Sequence, residues 1–187
     1  MSSFSNAVVI TGGIATGKST ASELLATLGY KIIDADKIAL KQFDKNSQKI
    51  LDLFGTLDRK AIASVVFADK EKKMALENLL HPAIRNEILE ISSDLELENK
   101  IYFVDIPLFF ETKNYPFTKS LLIYAPKELQ IERMVENRSM SRSDAFARVD
   151  SQMDIEAKKP LATWVIENCG TKEQLAKDLE NFLKSIN

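Results

Sequence analysis

The chain is short of the residues and runs that mark several large functional classes. A single cysteine, Cys169, stands among its 187 residues. An internal disulfide is impossible, and a reducing, cytoplasmic setting fits that usage. A thiol catalyst at Cys169 would need a neighbouring base, which the surrounding sequence does not offer. No stretch approaches the roughly 18 apolar residues of a membrane span. The opening MSSFSNAVVI lacks the basic segment and long apolar segment of a secretory signal. Neither sign of charge dominates: 25 Lys and Arg face 27 Asp and Glu, a net of -2. A broad basic face for nucleic-acid phosphates is therefore not expected. Neither a nucleic-acid nor a membrane partner is expected.

What is present describes a globular protein with a real core. Hydrophobic residues make up 45% of the chain and charged residues 28%, enough to build one domain with a small inserted subdomain. There is no internal repeat and no low-complexity linker. Short apolar runs rich in branched residues alternate with helix-patterned segments. Strands are expected at Val8–Thr11, Lys31–Ile33, Ile101–Asp105, Leu121–Tyr124 and Trp164–Ile166. Most are apolar throughout, as suits strands covered on both faces. Ala21, Leu24, Leu25 and Leu28 form one buried helical stripe that Gly29 can end. Thr171 with Gln174 three residues on reads as a capping box, followed by a stripe of Leu175, Leu179, Phe182, Leu183 and Ile186. Strands alternating with helices predict an α/β fold, a three-layer parallel β-sheet. Residues 38–99 separate the second and third strands by more than a crossover needs and are helix-patterned, so they read as an inserted helical subdomain. The core is then about 1–37 and 100–187. A polar helical segment at about 136–153 is a candidate mobile lid.

The most informative run is Gly12-Gly13-Ile14-Ala15-Thr16-Gly17-Lys18-Ser19, which fits G-x-x-x-x-G-K-[ST] at each position, with a strand before it and a helix after. Glycine lets a backbone turn tightly and approach phosphate closely. Successive N–H groups and the helix start then aim positive dipoles at the anion. Gly13, Ala15, Thr16 and Gly17 supply that cradle. Lys18 can bridge the outer phosphates of a nucleotide, Ser19 can ligate Mg²⁺, and Thr20 can reach the α-phosphate.

The acceptor machinery must be sought elsewhere. The Asn-Lys-x-Asp guanine reader is absent, since the one Asn-Lys, Asn99-Lys100, continues Ile101-Tyr102. A GTPase switch is thereby disfavoured and a small-molecule kinase favoured. KIIDADKIA ends the second strand with Asp34 and Asp36. Two apart on an extended backbone, both would point the same way, toward the crevice at the strand ends. One can take a hydroxyl proton while the other holds a water on Mg²⁺ or fixes a neighbour; either can instead be the cap of the next helix. Asp105 ends an apolar strand, where a carboxylate can orient Mg²⁺ or its waters. Glu111 either faces the cleft or begins the next loop. Arg133, Arg138, Arg142 and Arg148 cluster on the lid segment, suited to phosphoryl charge or simply to a solvated face. Ser141 with Asp144 marks a helix start, which places Arg138 at a joint.

Taken in order, TGGIATGKST, IIDADKIA, GTLDRKAIASVVF, LLHPAIRNEI, VDIPLFFE, APKELQIERM, SRSDAFARVDSQM and VIENCG resemble the dephospho-CoA kinase family from about Val8 to the C-terminal helix. The resemblance implies a phosphate-loop kinase fold of the nucleoside-monophosphate-kinase type. It implies transfer of phosphate from ATP, with Mg²⁺, to the ribose 3′-hydroxyl of dephospho-CoA. It makes Asp36 the catalytic base, with Lys18 and Arg138 as further catalytic groups. Arg148 and Asn168 would serve ATP, the turn at Asn168 lying near adenine. Asp34, Asp36, His81 and Asp105 would serve the acceptor, and the helical insertion would bind its CoA portion. Three departures stand out. The stretch between Ala39 and Gly55 is shorter than is common in the family. Cys169 replaces a small polar residue. Ala15 replaces a frequent glycine and is expected to keep φ negative. His81-Pro82 is expected between two helices, with Pro82 at a helix start, and Trp164 in the core. The alternative acceptor is a nucleoside monophosphate, and the oligomeric state is left open between a monomer and a weak homo-oligomer.

Overall fold

A computed structural model describes residues 4–186, the side chain of Arg138 lying outside that description. Five strands form one sheet: β1 (Ala7–Gly12), β2 (Ile32–Asp34), β3 (Tyr102–Asp105), β4 (Ser120–Tyr124) and β5 (Trp164–Glu167). Their order is β2-β3-β1-β4-β5. Strand β1 runs parallel to both its neighbours, and β4 runs parallel to β5. The five apolar runs expected as strands are these five. Every residue of β1, β3 and β4 is buried, which is why they carry no polar alternation: both faces of the sheet are covered.

The helices are α1 (Lys18–Thr27), α2 (Ala35–Lys45), α3 (Ser47–Phe54), α4 (Arg59–Ala68), α5 (Lys70–Glu96), α6 (Phe109–Thr112), α7 (Lys127–Arg138), α8 (Arg142–Asp150), α9 (Ile155–Lys158) and α10 (Lys172–Ile186). One face of the sheet packs on α1 and α10, where Ala21, Leu25, Leu175 and Leu179 meet Val8, Ile10, Phe103 and Leu121. The other face carries a smaller cluster of Leu122, Tyr124 and Ile155. Each large apolar side chain buried this way contributes about 1.5–3 kcal/mol. Trp164 sits against the first cluster with its ring edge toward Phe182 at 5.4 Å, a core position. Of the expected capping box at α10 the N-cap bond forms, Gln174 N–H donating to Thr171 Oγ1 at 3.3 Å, while the Gln174 side chain donates to Asp178 at 2.8 Å. Leu28, expected in the buried stripe of α1, is instead 45% exposed. It is the C-cap residue, where the chain has already left the helical face.

The chain divides into two compact units: residues up to Ile33 with those from Leu95 onward, and Asp34–Asp94. The second is helical, and each of its helices buries one isoleucine: Ile38, Ile50, Ile62 and Ile88. Three of its helix starts are capped by aspartate, Asp34 accepting from Lys37 N–H at 3.0 Å, Asp58 from Ala61 N–H at 2.8 Å and Asp69 from Lys72 N–H at 3.0 Å. Glu87 on α5 accepts from Lys41 and Gln42 on α2. The Lys41 hydrogen bond is the main reason its carboxyl sits below the ordinary glutamate range. The expected break at His81-Pro82 does not occur. Pro82 lies inside the continuous 27-residue α5. Its missing N–H removes one helical bond, but the stripe of Ile84, Ile88 and Ile91 beyond it continues the helix's packed face, with Ile88 fully buried. Among the described residues no helix is long and apolar enough to cross a membrane.

Candidate active site

The strand β1 delivers its C-terminal glycine, Gly12, straight into the loop, and α1 begins at Lys18. A Cβ on Gly12 would stand 2.6 Å from Thr16 Oγ1 and 2.9 Å from the Ile123 carbonyl, so only glycine fits. Gly17 has φ +90 and a Cβ there would stand 2.1 Å from Asn168 Nδ2. Ala15 departs from expectation: its φ is +58, not negative. An alanine in the left-handed region costs about 1–2 kcal/mol. The surroundings impose it: Ile14 and Ala15 pack on Ile131, Met134, Ala145 and Val149 from α7 and α8.

The loop is held by polar groups from distant parts of the chain. Asn168 Nδ2 donates to the Thr16 carbonyl at 2.8 Å. Arg133 donates to the carbonyls of Ala15 at 3.3 Å and Asn168 at 2.8 Å. Its guanidinium is thus turned to the backbone that shapes the cradle rather than standing free for phosphate. Gln152 Oε1 accepts from Ile14 N–H at 2.9 Å, and Lys158 Nζ donates to the Gly12 carbonyl at 3.2 Å. Inside the loop, Thr16 Oγ1 donates to the Gly13 carbonyl at 2.9 Å.

Two sequence-predicted residues are brought together here: Lys18 and Asp105 form an ion pair. Ser22, one turn along α1, donates to the second oxygen of Asp105 at 2.7 Å. Asp105 is thereby fixed by two donors, at the end of the strand beside β1. Ser19 is exposed and Thr20 partly so in the first turn of α1. Among the described residues no group of three or more His, Cys, Asp or Glu could hold a metal alone. Mg²⁺ at a nucleotide takes one or two protein oxygens beside phosphates and waters; the hard oxygens of Ser19 and Asp105 fit that pattern.

The paired aspartates need correction. Strand β2 ends at Asp34, whose carboxylate caps α2, so Asp36 is the second residue of that helix rather than part of an extended backbone. The period-2 argument that aimed both carboxylates alike therefore does not apply. Asp34 also lies 3.3 Å from Lys37 Nζ, a structural role of the kind foreseen as its alternative. Asp36 is exposed in the first turn of α2.

The polar helical segment at 136–153 is jointed where the helix start at Ser141 was expected. Helix α7 ends at Arg138, Ser139 turns through φ +50, and α8 starts after Ser141. Ser141 caps α8 by accepting from Asp144 N–H at 3.1 Å, as read. Arg142 pairs with Glu128 and Lys127 with Asp150 at 2.7 Å. These exposed pairs contribute little, about 0–1 kcal/mol each. Arg148 is exposed in the last turn of α8. Arg138 closes α7, and its side chain lies outside the described residues. His81 is exposed on α5, Asn168 is buried, and Cys169 beside it is exposed.

Comparison with known proteins follows the same outline. The family model for dephospho-CoA kinase matches residues 6–174. A dephospho-CoA kinase of Wolinella succinogenes is 41% identical, covering 100% of this chain and 97% of the relative. A solved structure from Thermus thermophilus superposes with a TM-score of 0.84 at 36% identity, covering 97% of each chain. The dephospho-CoA kinase structure from Campylobacter jejuni gives 0.73 at 38% identity, again over 97% of each chain. The chain belongs to the dephospho-CoA kinase family. It is accordingly an ATP-dependent phosphotransferase of coenzyme A synthesis, on the phosphate-loop kinase fold.

Sequence reasoning missed Lys158, Gln152 and Ser22. Lys158 sits in EAKKPLA beside an identical residue, and nothing local separates them. Only the fold buries Lys158 completely and leaves Lys159 partly exposed.

Proposed function

We propose that the chain transfers the γ-phosphoryl group of Mg²⁺-bound ATP to the ribose 3′-hydroxyl of dephospho-CoA, with Asp36 as the base. Asp36 accepts the hydroxyl proton, the freed oxygen forms a bond to the γ-phosphorus, and the bond to the ADP oxygen breaks. Backbone N–H groups of Gly13, Ala15, Thr16 and Gly17 receive the phosphate oxygens, and Lys18 spans the outer ones. In that role Lys18 exchanges part of its ion pair with Asp105 for the nucleotide. Ser19, with Asp105 at hand, holds Mg²⁺, which neutralises phosphoryl charge. Thr20 serves the α-phosphate, and Arg138 and Arg148 spread charge from the lid. The turn at Asn168 reads adenine. Asp34 fixes the start of α2, so its contribution to the acceptor is to place Asp36; His81 serves the acceptor from α5, within a 34–94 unit that takes the CoA portion.

The observation that carries this reading is the Gly12–Ser19 loop folded at the head of α1 with Lys18 beside Asp105, in a chain of this family. The test is an ADP-release assay with ATP, Mg²⁺ and either dephospho-CoA or AMP, with the phosphorylated position read by mass spectrometry and NMR. Turnover of dephospho-CoA to the 3′-phosphate is expected. Turnover of AMP alone, or phosphate at another hydroxyl, overturns it.

A further inference from the structure

Beneath the phosphate loop lies a charge pair, its lysine fully buried and its glutamate largely so, that the reaction as described does not use. The Lys158 side chain, from the last turn of α9, is 0% exposed and sits 2.7 Å from Glu111 Oε1 on α6. No nucleotide atom can touch a cation so enclosed. Its ammonium instead donates to the Gly12 carbonyl at 3.2 Å, at the point where β1 becomes the loop. Glu111 Oε1 also accepts from Met153 N–H at 3.3 Å, and the preceding Gln152 holds Ile14 N–H. The segment that follows α8 is thus tied to the loop twice, once directly and once through Glu111 and Lys158.

A purely structural tie would not need this chemistry. A buried ion pair gains little over an apolar pair of similar volume, because desolvation offsets the attraction. The second carboxylate oxygen, Glu111 Oε2, is buried with no hydrogen-bonding partner among the described residues, which adds a further desolvation penalty. What the pair does supply is orientation. The peptide bonds here are trans, so a carbonyl held toward Lys158 turns the N–H of the same peptide unit, that of Gly13, the opposite way. A cation at the carbonyl also polarises that unit.

We propose that Glu111 and Lys158 act together as positioning residues for ATP: Lys158 sets the orientation of the Gly12–Gly13 peptide, and Glu111 links that setting to the segment behind α8. This rests on reading Gly12–Ser19 as the ATP site. The test compares Lys158→Met, Glu111→Gln and the double variant by Tm, kcat and the separate KM values for ATP and dephospho-CoA. Lys158→Met alone leaves Glu111 unpaired and is expected to lose Tm. The double variant removes both charges and is expected to recover Tm, yet keep a KM for ATP raised about tenfold, as for loss of one charge-assisted contact. KM for dephospho-CoA should stay within a factor of about two. Glu111→Gln retains an acceptor for Lys158 and Met153, so it tests the proposal even if the Met variants do not fold; its KM for ATP should rise about threefold. Parent KM for ATP in a folded double variant or in Glu111→Gln, or equal rises for both substrates, overturns the proposal. A parent enzyme without turnover would instead strike at the kinase reading itself.

Discussion

The phosphate loop and the helical unit of residues 34–94 are held by opposite means. The loop is short, and its carbonyls and amides are gripped by Asn168, Arg133, Gln152 and Lys158, side chains drawn from well over a hundred residues away in sequence. The helical unit has one buried isoleucine per helix and surface ion pairs, and it leaves Phe67 95% and Met74 60% exposed. The difference teaches where each kind of force is useful. Directional bonds to a fixed framework define the positions of dipoles to a fraction of an ångström, as anion binding requires. Non-directional apolar packing holds helices together while tolerating small shifts.

The largest test of the contrast is catalytic. Asp36→Asn, an exposed change on α2, should lower kcat about 10²–10⁴-fold with ATP affinity, measured by calorimetry, unchanged; parent turnover would remove Asp36 as the base. Next comes the helical unit's packing. Ile50→Ala should cost about 2–5 kcal/mol in denaturant unfolding, with KM for ATP unaltered in the folded fraction. Asn168→Ala should do the reverse: a smaller loss, about 0.5–1.5 kcal/mol for the hydrogen bond removed from the Thr16 carbonyl, which keeps only the longer one from Arg133 at 3.5 Å, accompanied by a raised KM for ATP. Were Ile50→Ala to weaken ATP binding and Asn168→Ala not, the comparison would fail. Ala15→Gly sharpens it further. Relief of the left-handed backbone favours the variant by about 1–2 kcal/mol, while glycine's entropy costs about 0.5–1 kcal/mol and the lost methyl up to about 0.8 kcal/mol. The net lies between a loss of about 0.8 and a gain of about 1.5 kcal/mol, read as a small shift in Tm; a larger loss would mean that the methyl's packing on α7 and α8 dominates.

The smallest effect is a pH dependence. Glu87 has its carboxyl lowered in the folded state by Lys41. Its stabilisation is therefore complete above the ordinary glutamate value of about 4.3 and is lost as pH falls through the lower folded value. Glu87→Gln should flatten the acid limb of a Tm-against-pH curve by a small amount; an unchanged limb would show the pair to be inert.

The same contrast explains what could be read from the sequence. The central strands β1, β3 and β4 were legible because burial on both faces leaves unbroken branched apolar runs, and the half-exposed edge strands β2 and β5 because their short branched runs stand between helix-patterned segments. The loop was legible because phosphate demands glycine and lysine at fixed spacing. The framework around the loop was not. Lys158 looks like its neighbour Lys159, and Gln152 like any polar residue after a helix, since their partners are fixed by topology rather than spacing. The Asp34–Asp36 geometry was misread because a strand of three residues ended two positions earlier than the argument needed. Pro82 was misread because packing beyond it outweighed one missing backbone bond. Ala15 was misread because the local steric rule gave way to the cluster on which it packs.

Cys169 is exposed, is the chain's sole thiol, and adjoins the asparagine that grips Thr16. A maleimide dye would therefore attach at one place without mutagenesis. It would sit beside the proposed nucleotide turn, giving the enzyme a built-in optical gauge of ATP arrival.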